Sequence, residues 1–333
     1  MQILLTHTPQ MRENYYGDAA LAGLQRLGDV RLHDGAEALQ PAQLIRAAKG
    51  ADLIIADRLT TVPADVFAAL PDLKVLLRCA VDIRNIDVAA ATAAGVLVTR
   101  ARPGFVASVV ELTVGFLVDL ARGVSRATAD YHAGRPPEVR MGRQLAGSTL
   151  GIIGYGSIGR ALAPVAAALG MTVLIADPGV TVDDARFRQV DLATLLALAD
   201  HVVCLAVATE ATENLIDGAA LARMQGHAVF INVSRGNLVD EAALAAALRA
   251  GTIAAAAMDV GRALDQMPTP ELAALPNVIA TPHIGGLTPP AIAAQALDTV
   301  AQVQELVQGQ VPHGAVNPEH WARRLQGTRP EKG

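Results

Sequence analysis

The sequence predicts an α/β protein built from two doubly wound parallel-sheet domains. Two observations carry that reading. Short apolar runs alternate with helical segments along almost the whole chain, and one such run opens into a glycine corner, GIIGYGSIGR at Gly151–Arg160. The length, 333 residues, suits two domains with cores of ordinary size. Hydrophobic residues make up 52% of the chain but aromatic ones only 3%, so much of the apolar share is alanine. That favours many helices packed closely on thin sheets.

In the first part of the chain, strands are expected at Gln2–Thr6, Val30–Leu32, Leu53–Ala56, Lys74–Leu77 and Val96–Thr99. Helices are expected between them at Asn14–Leu27, Pro41–Ala48, Pro63–Leu70 and Asp87–Ala94. Pro63 takes a tolerated first-turn position, and Gly95 caps the last helix. Pro103 and Gly104 then break the pattern. Ala107–Ala133 reads as one long helix that carries the chain into the next domain, and Gly134–Gly142 as a polar arm with two prolines. The unit around the glycine corner begins near Gln144. Its later strands are Thr172–Ala176, Val202–Ala206, Ala228–Asn232, Ala254–Val260 and Val278–Ala280, with helices at Asp191–Leu198, Gly218–Met224 and Glu241–Ala250. A helix at Pro290–Gln308 should return to the first domain, whose sheet VPHGAVNPEH would close as a strand. The expected domains are therefore residues 1–100 with 287–333, and 101–286.

The glycine corner suits a phosphate-binding strand-to-helix turn. Gly154 permits a sharp turn, Gly156 lets a pyrophosphate approach the backbone, and Gly159 lets helix and strand pack closely. The helix N-terminus adds free N–H groups and a positive dipole end. The next apolar run, Thr172–Ala176, ends in Asp177, about 20 residues past the glycines, where the adenine ribose hydroxyls are gripped. A carboxylate there repels a 2′-phosphate, so NAD is expected rather than NADP.

Composition excludes several partners. A formal charge of −5 argues against non-specific nucleic-acid binding, and no apolar run approaches the roughly 20 residues of a membrane span. The start, MQILLTHTP, turns polar too quickly for a signal peptide. Cys79 and Cys204 lack metal-type spacing and read as thiols of a reducing compartment, so a cytoplasmic, metal-free protein is expected.

Three segments past the glycine corner fall at C-terminal strand ends, the edge where open α/β sheets bind ligands. They are INVSRGNLVD with Arg235, AMDV with Asp259, and TPHIGG with His283. Together with the corner and Asp177 they closely resemble the NAD-dependent D-isomer-specific 2-hydroxyacid dehydrogenases. That family includes phosphoglycerate, glycerate and D-lactate dehydrogenases, and the likeness spans Leu76 to Asn317. It implies a Rossmann NAD-binding domain inserted into a flavodoxin-like substrate domain, a cleft between them, and a homodimer. It implies that Arg235 binds the carboxylate and keto oxygen of a small anionic 2-keto acid and that His283 is the acid/base. Cofactor contacts are implied at Gly154, Tyr155, Gly156, Ser157, Ile158, Gly159, Asp177, Ala206, Val207, Thr212, Ser234, Arg235, Asp259, His283, Gly285 and Gly286. Val81, Asp82, Arg100 and Arg235 are the candidate substrate contacts. The physical roles agree: an imidazolium is a natural proton donor near neutral pH, and a guanidinium offers two-point contact and offsets developing charge.

Two departures stand out. The family usually has a glutamate five residues after the aspartate of the AMDV-type strand; here Leu264 holds that place and Asp265 follows. Asp265 is then the candidate acidic partner of His283, provided the loop shifts. In RCAVDIRNID, Ala80 and Asp82 replace the glycines expected around a substrate carboxylate, while TRARPG adds Arg100 and Arg102. The same architecture also serves NAD-binding modules without catalysis and formate- or phosphonate-type dehydrogenases. Arg235 and His283 favour the 2-hydroxyacid enzyme; the missing glutamate and altered glycine turn favour the non-enzymatic rival. Glu111 reads as a buried structural carboxylate, His201 and His227 as turn and cap residues, and Arg122, Arg126, Arg135, Arg140 and Arg143 as a solvated or dimer-facing set.

Overall fold

The computed structural model describes residues 1–323. The chain divides into two compact units, Met1–Gly104 with the segment from Pro289 onward, and Phe105–Thr288. The expectation for the first domain runs to residue 333, and residues 324–333 lie outside the described residues.

The first unit holds a parallel sheet of five strands: β1 (Gln2–Leu5), β2 (Asp29–Leu32), β3 (Leu53–Ala56), β4 (Val75–Arg78) and β5 (Leu97–Arg100). Their order is β2-β1-β3-β4-β5, the flavodoxin-like order. β3 and β4, reading LIIA and VLLR, are buried along their whole length, as strands covered on both faces must be. Successive residues feed opposite cores: Ile54 and Leu76 pack with Phe67, and Ile55 and Leu77 with Trp321.

The second unit holds β6 (Thr149–Ile153), β7 (Thr172–Ala176), β8 (Arg188–Gln189), β9 (His201–Cys204), β10 (Val229–Asn232), β11 (Ala255–Met258) and β12 (Val278–Ala280). They run parallel in the order β8-β7-β6-β9-β10-β11-β12. The winding reverses between β6 and β9, so a crevice opens at the C-terminal ends of those strands. The expected fold class, two doubly wound parallel sheets with the second of Rossmann order, is the one observed.

Several local expectations need correction. The stretch Asn14–Leu27 is not one helix: Pro9–Tyr15, capped by the Thr8 side chain, is separated from Asp18–Gln25 by Gly17, whose φ is +80°. Ala107–Ala133 is likewise two helices, Val106–Arg122 and Val124–His132. Gly123 caps the first in the left-handed conformation, which only glycine adopts cheaply. VPHGAVNPEH forms no strand. It makes a single bridge, Ala315 to Thr99, and Asn317 supplies the rest with its side chain: its amide oxygen accepts from Val98 N, and its amide nitrogen donates to the carbonyl of Val96. Glu111 is exposed rather than buried.

At the C-terminal edge of the first sheet lies a buried polar cluster of Thr6, His7, Asp57, Thr60 and Arg78. The Asp57 carboxylate accepts from the hydroxyls of Thr6 (2.6 Å) and Thr60 and from the N–H groups of Leu59 and Thr60. Burial pushes this carboxyl up, but those bonds and the nearby His7 outweigh it, and it sits below its ordinary value. The Arg78 guanidinium donates to the carbonyls of Asp57 and Thr60; burial lowers it to about 10. The His7 ring lies 5.0 Å from that of Tyr16, tilted by 57°, and burial lowers its imidazole to about 4. The folded state thus keeps His7 neutral where the unfolded chain protonates it. As pH falls below the ordinary histidine value of 6.5 the unfolded state binds more protons, and stability declines until the folded state also titrates near 4. The full separation corresponds to about 3 kcal/mol. Trp321, the only tryptophan in the sequence, is buried in this unit and reports its unfolding. Denaturant titrations followed by its fluorescence should lose stability between about pH 6.5 and 4, and His7→Phe should remove most of that slope. An equal slope in both proteins would contradict this reading.

Candidate active site

The glycine corner joins β6 to the helix Ser157–Ala168, and each glycine meets a different steric demand. Gly154 has φ +97°, and a Cβ there would lie 2.7 Å from the carbonyl of Leu205 at the end of β9. A Cβ on Gly159 would lie 2.4 Å from the carbonyl of Gly154, so helix and turn can touch only without one. Gly156 has no atom within 4 Å of that position. Gly156 and Ser157 are exposed and Ile158 partly so, which leaves room for a phosphate at the helix N-terminus. Tyr155 is buried, with the Arg160 guanidinium over its ring at 4.6 Å.

Asp177 follows β7 and is half-buried. One carboxylate oxygen accepts from Tyr155 N at 2.7 Å and the other from Gly179 N at 2.8 Å. Each oxygen keeps a lone pair, so the carboxylate is held beside the corner with acceptors to spare. The open helix end and this carboxylate fit a dinucleotide: the first would suit a pyrophosphate, the second a ribose diol.

The neighbouring strand ends carry the other candidates. Past β9, the Ala206 carbonyl accepts from Ser234 Oγ at 2.8 Å, and Thr212 Oγ1 donates to the carbonyl of Val207 at 2.7 Å, tightening that loop. Past β10, fully buried Asn232 clamps the next turn. Its side chain accepts from Ser234 N at 3.1 Å and donates to the Arg235 carbonyl at 2.9 Å. The Arg235 side chain is half-buried, with Nη1 donating to the Ser234 carbonyl. A Cβ on Gly236 would collide with the main chain of Gly261, so this turn and the one after β11 are in backbone contact.

Asp259, directly after β11, is 2% exposed. Its carboxylate accepts from Thr281 Oγ1 (2.6 Å), Ile284 N (2.8 Å) and Gly285 N (2.8 Å), and its carbonyl accepts from His283 N (3.0 Å). These bonds tie it to the loop that carries His283. Gly285 must lack a Cβ, which would stand 2.8 Å from Asp259 Oδ2, and Gly286 packs against Phe105. His283 takes φ +56°, and its Nδ1 lies 2.8 Å from the main-chain carbonyl of Asp265. The expected carboxylate partner is therefore replaced in this contact: Asp265 meets the ring through its backbone, because Asp265 and Gln266 both adopt left-handed φ, +54° and +57°. Leu264, in the usual glutamate's place, is 87% exposed.

In the first unit, Val81, Asp82 and Arg100 lie near the C-terminal ends of β4 and β5. Asp82 does not cap the following helix, a task that falls to Asp87; its carboxylate is paired with the Arg84 guanidinium at 2.7 Å. Arg100 is exposed. Among the described residues no group of three or more His, Cys, Asp or Glu side chains is placed to hold a metal, and no helix is long and apolar enough to cross a membrane.

The family model for the D-isomer-specific 2-hydroxyacid dehydrogenase NAD-binding domain matches residues 114–285. The chain is 37% identical over 279 residues to the (S)-sulfolactate dehydrogenase of Chromohalobacter salexigens, covering 82% of this chain and 90% of that protein. The chain belongs to the D-isomer-specific 2-hydroxyacid dehydrogenase family. It is also 35% identical over 303 residues to the D-3-phosphoglycerate dehydrogenase of Methanocaldococcus jannaschii, of which it spans only 57% of the length. Among solved structures, the TT0316 protein of Thermus thermophilus superposes with a TM-score of 0.85 at 31% identity, covering 95% of this chain and all of that one. The D-lactate dehydrogenase of Lactobacillus jensenii with NAD+ gives 0.77 at 25% identity, covering 95% of this chain and 99% of that one. The family's cofactor is NAD, and the second unit is its NAD-binding domain.

Sequence reasoning missed Asn232, which fixes the Arg235 turn, and the clamp residues Glu241 and Arg262 around the turn after β11. A buried asparagine at a strand end before a turn was the available signal for the first. The glycine geometry makes a paired prediction. Gly156→Ala should leave stability unchanged but weaken NADH binding about tenfold, roughly 1.4 kcal/mol. Gly154→Ala should instead lower the unfolding midpoint. Thermal melts and NADH titrations check both; a destabilised Gly156→Ala with normal NADH affinity would contradict the assignment.

Proposed function

We propose that this chain transfers a hydride between NAD(H) and a small anionic 2-hydroxy acid/2-keto acid pair of D configuration. One observation carries the reading: the NAD-type glycine corner, Arg235 and His283 share one edge of one sheet, and His283 has Nδ1 engaged by a carbonyl. With Nδ1–H donating to Asp265, Nε2 is the atom that exchanges a proton with the substrate oxygen. Arg235 holds the substrate carboxylate and offsets charge on the keto oxygen. Gly154, Gly156, Ser157, Ile158 and Asp177 hold the dinucleotide, which when bound supplies or accepts the hydride. On the substrate side the reading assigns contacts to Val81, Asp82 and Arg100, with Asp82 already neutralised by Arg84 and the exposed Arg100 guanidinium attracting an anion.

Purified protein and NADH should be tested against a panel of 2-keto acids, with loss of nicotinamide absorbance as readout. Turnover of at least one keto acid to the D product is expected; inactivity across the panel, with NADH still bound, would favour the non-enzymatic module instead. Asp177 predicts NADH over NADPH by tenfold or more in affinity, about 1.4 kcal/mol at least. Equal affinities would remove the role given to that carboxylate.

The reading also includes a homodimer in a reducing, cytoplasmic compartment. The arm Gly134–Gly142 exposes Val139 and Met141 almost completely, and the helices flanking Gly123 expose Val118, Val124 and Tyr131. A two-fold partner would cover these apolar groups. Cys79 and Cys204 are buried and free, which suits a compartment that keeps thiols reduced. Light scattering at micromolar concentration should give twice the chain mass; a monomer would refute the dimer.

A further inference from the structure

The group facing Nδ1 of His283 is a carbonyl on a turn with two residues in the left-handed region. Asp265 and Gln266 both occupy the left-handed region without being glycine, a conformation that is strained for most side chains and persists where the surroundings enforce it. Within the turn, Gly261 N donates to the Gln266 carbonyl at 2.7 Å and Ala263 N to the Met267 carbonyl at 2.9 Å. The outer restraint comes from a distant residue. Glu241, in the first turn of the helix Glu241–Ala250, is 8% exposed and reaches both ends of the turn. Its Oε1 accepts from Arg262 N at 2.8 Å, and its Oε2 accepts from Thr269 Oγ1 at 2.6 Å. The fit is close: a Cβ on Gly261 would lie 2.5 Å from Glu241 Oε1. The Arg262 side chain then ties the same turn to the segment after Arg235, donating to the carbonyls of Val239 and Asn237 (both 3.0 Å) and to Glu213 (2.9 Å).

We propose that Glu241 is a positioning residue that acts through Thr269 and the main chain of Arg262. It closes the 262–269 loop like a buckle and so presents the Asp265 carbonyl to His283. The consequence is a fixed tautomer. A carbonyl can only accept, so the neutral ring carries its proton on Nδ1 and offers Nε2 as acceptor; the protonated ring offers Nε2–H as donor. A carboxylate partner achieves this with charge; here it is achieved by backbone geometry, which depends on the buckle. If the buckle opens, the strained turn relaxes, the carbonyl leaves Nδ1, and the ring is free to turn or to move its proton to Nε2. The tautomer assignment stands on geometry alone, while its catalytic consequence rests on the functional reading above.

The experiment is nitrogen NMR of protein labelled with 15N-histidine. The sequence has eight histidines, and the spectrum of His283→Asn identifies the signals of His283. Wild-type His283 should show the Nδ1–H tautomer when neutral. Thr269→Val, which removes one hydroxyl at almost constant volume, should shift it toward the Nε2–H form. Glu241→Ala should do so more strongly, and Thr269→Ser should restore the wild-type pattern. In steady-state reduction of a 2-keto acid, Thr269→Val should lower kcat about tenfold or more with NADH affinity unchanged. An Nε2–H tautomer in the wild type, or an unchanged tautomer in both Thr269→Val and Glu241→Ala, would overturn the proposal. If no keto acid is turned over, the functional reading fails by itself, and the tautomer still decides the buckle.

Discussion

The carboxylate of Asp259 is the constraint on which the candidate site depends. It sits where β11 ends, almost wholly buried, and draws three donors of the 281–285 loop onto itself. Charge-assisted bonds of this kind are stronger than neutral ones, and a buried carboxylate left without them is costly. With the Asp259 carbonyl also accepting from His283 N, the histidine is bracketed from both sides and pressed into a left-handed conformation. That conformation aims Nδ1 at the Asp265 carbonyl. The turn that carries Asp265 touches the Arg235 turn through Gly236 and Gly261, so Arg235 and His283 share one small patch.

The parts of this patch that were legible in the sequence are those with a steric or topological reason. Three glycines at a strand end follow from a turn, an open helix end and a close packing contact, and an aspartate at the end of the next strand follows from ribose recognition. Arg235 and His283 were legible because they come just after apolar runs that had to be parallel strands. What could not be read has equally physical causes. A main-chain carbonyl has no residue type, so nothing in the string LDQM signals that Asp265 faces the histidine with its backbone. Glu241 reads as an ordinary first-turn carboxylate, because its partners at 262 and 269 are brought to it only by the fold. The segment VPHGAVNPEH, expected as a closing strand, makes one bridge only, and one asparagine side chain, Asn317, adds further bonds to the neighbouring strand. The expected single helix Ala107–Ala133 is two because Gly123, with a φ of +69°, is a cap, and a glycine inside an apolar stretch does not announce that conformation.

The two departures from the family pattern change character once the structure is in view. The loss of the usual glutamate is answered by geometry rather than by the neighbouring carboxylate, so the histidine keeps a fixed partner without a paired charge. The aspartate in the altered turn of the first unit is answered by Arg84 two residues on, which cancels its charge locally. Beneath that turn, Arg78 is fully buried and spends its guanidinium on the loop carbonyls of Asp57 and Thr60, so it serves the shape of the loops and is not open to a ligand.

The central claim is that Arg235 and His283 divide the chemistry of one reaction, the first holding the anionic substrate and the second moving the proton. Steady-state reduction of one 2-keto acid by the wild type, Arg235→Lys and His283→Asn, with NADH affinity measured in parallel, tests it most directly. Arg235→Lys should raise KM for the keto acid and lower kcat, since a point charge cannot reproduce a two-point grip. His283→Asn should lower kcat by about a hundredfold or more with little change in KM. NADH affinity should stay within about twofold in both, well under the roughly 1.4 kcal/mol that a tenfold change represents. Wild-type kcat/KM in either variant would contradict the account.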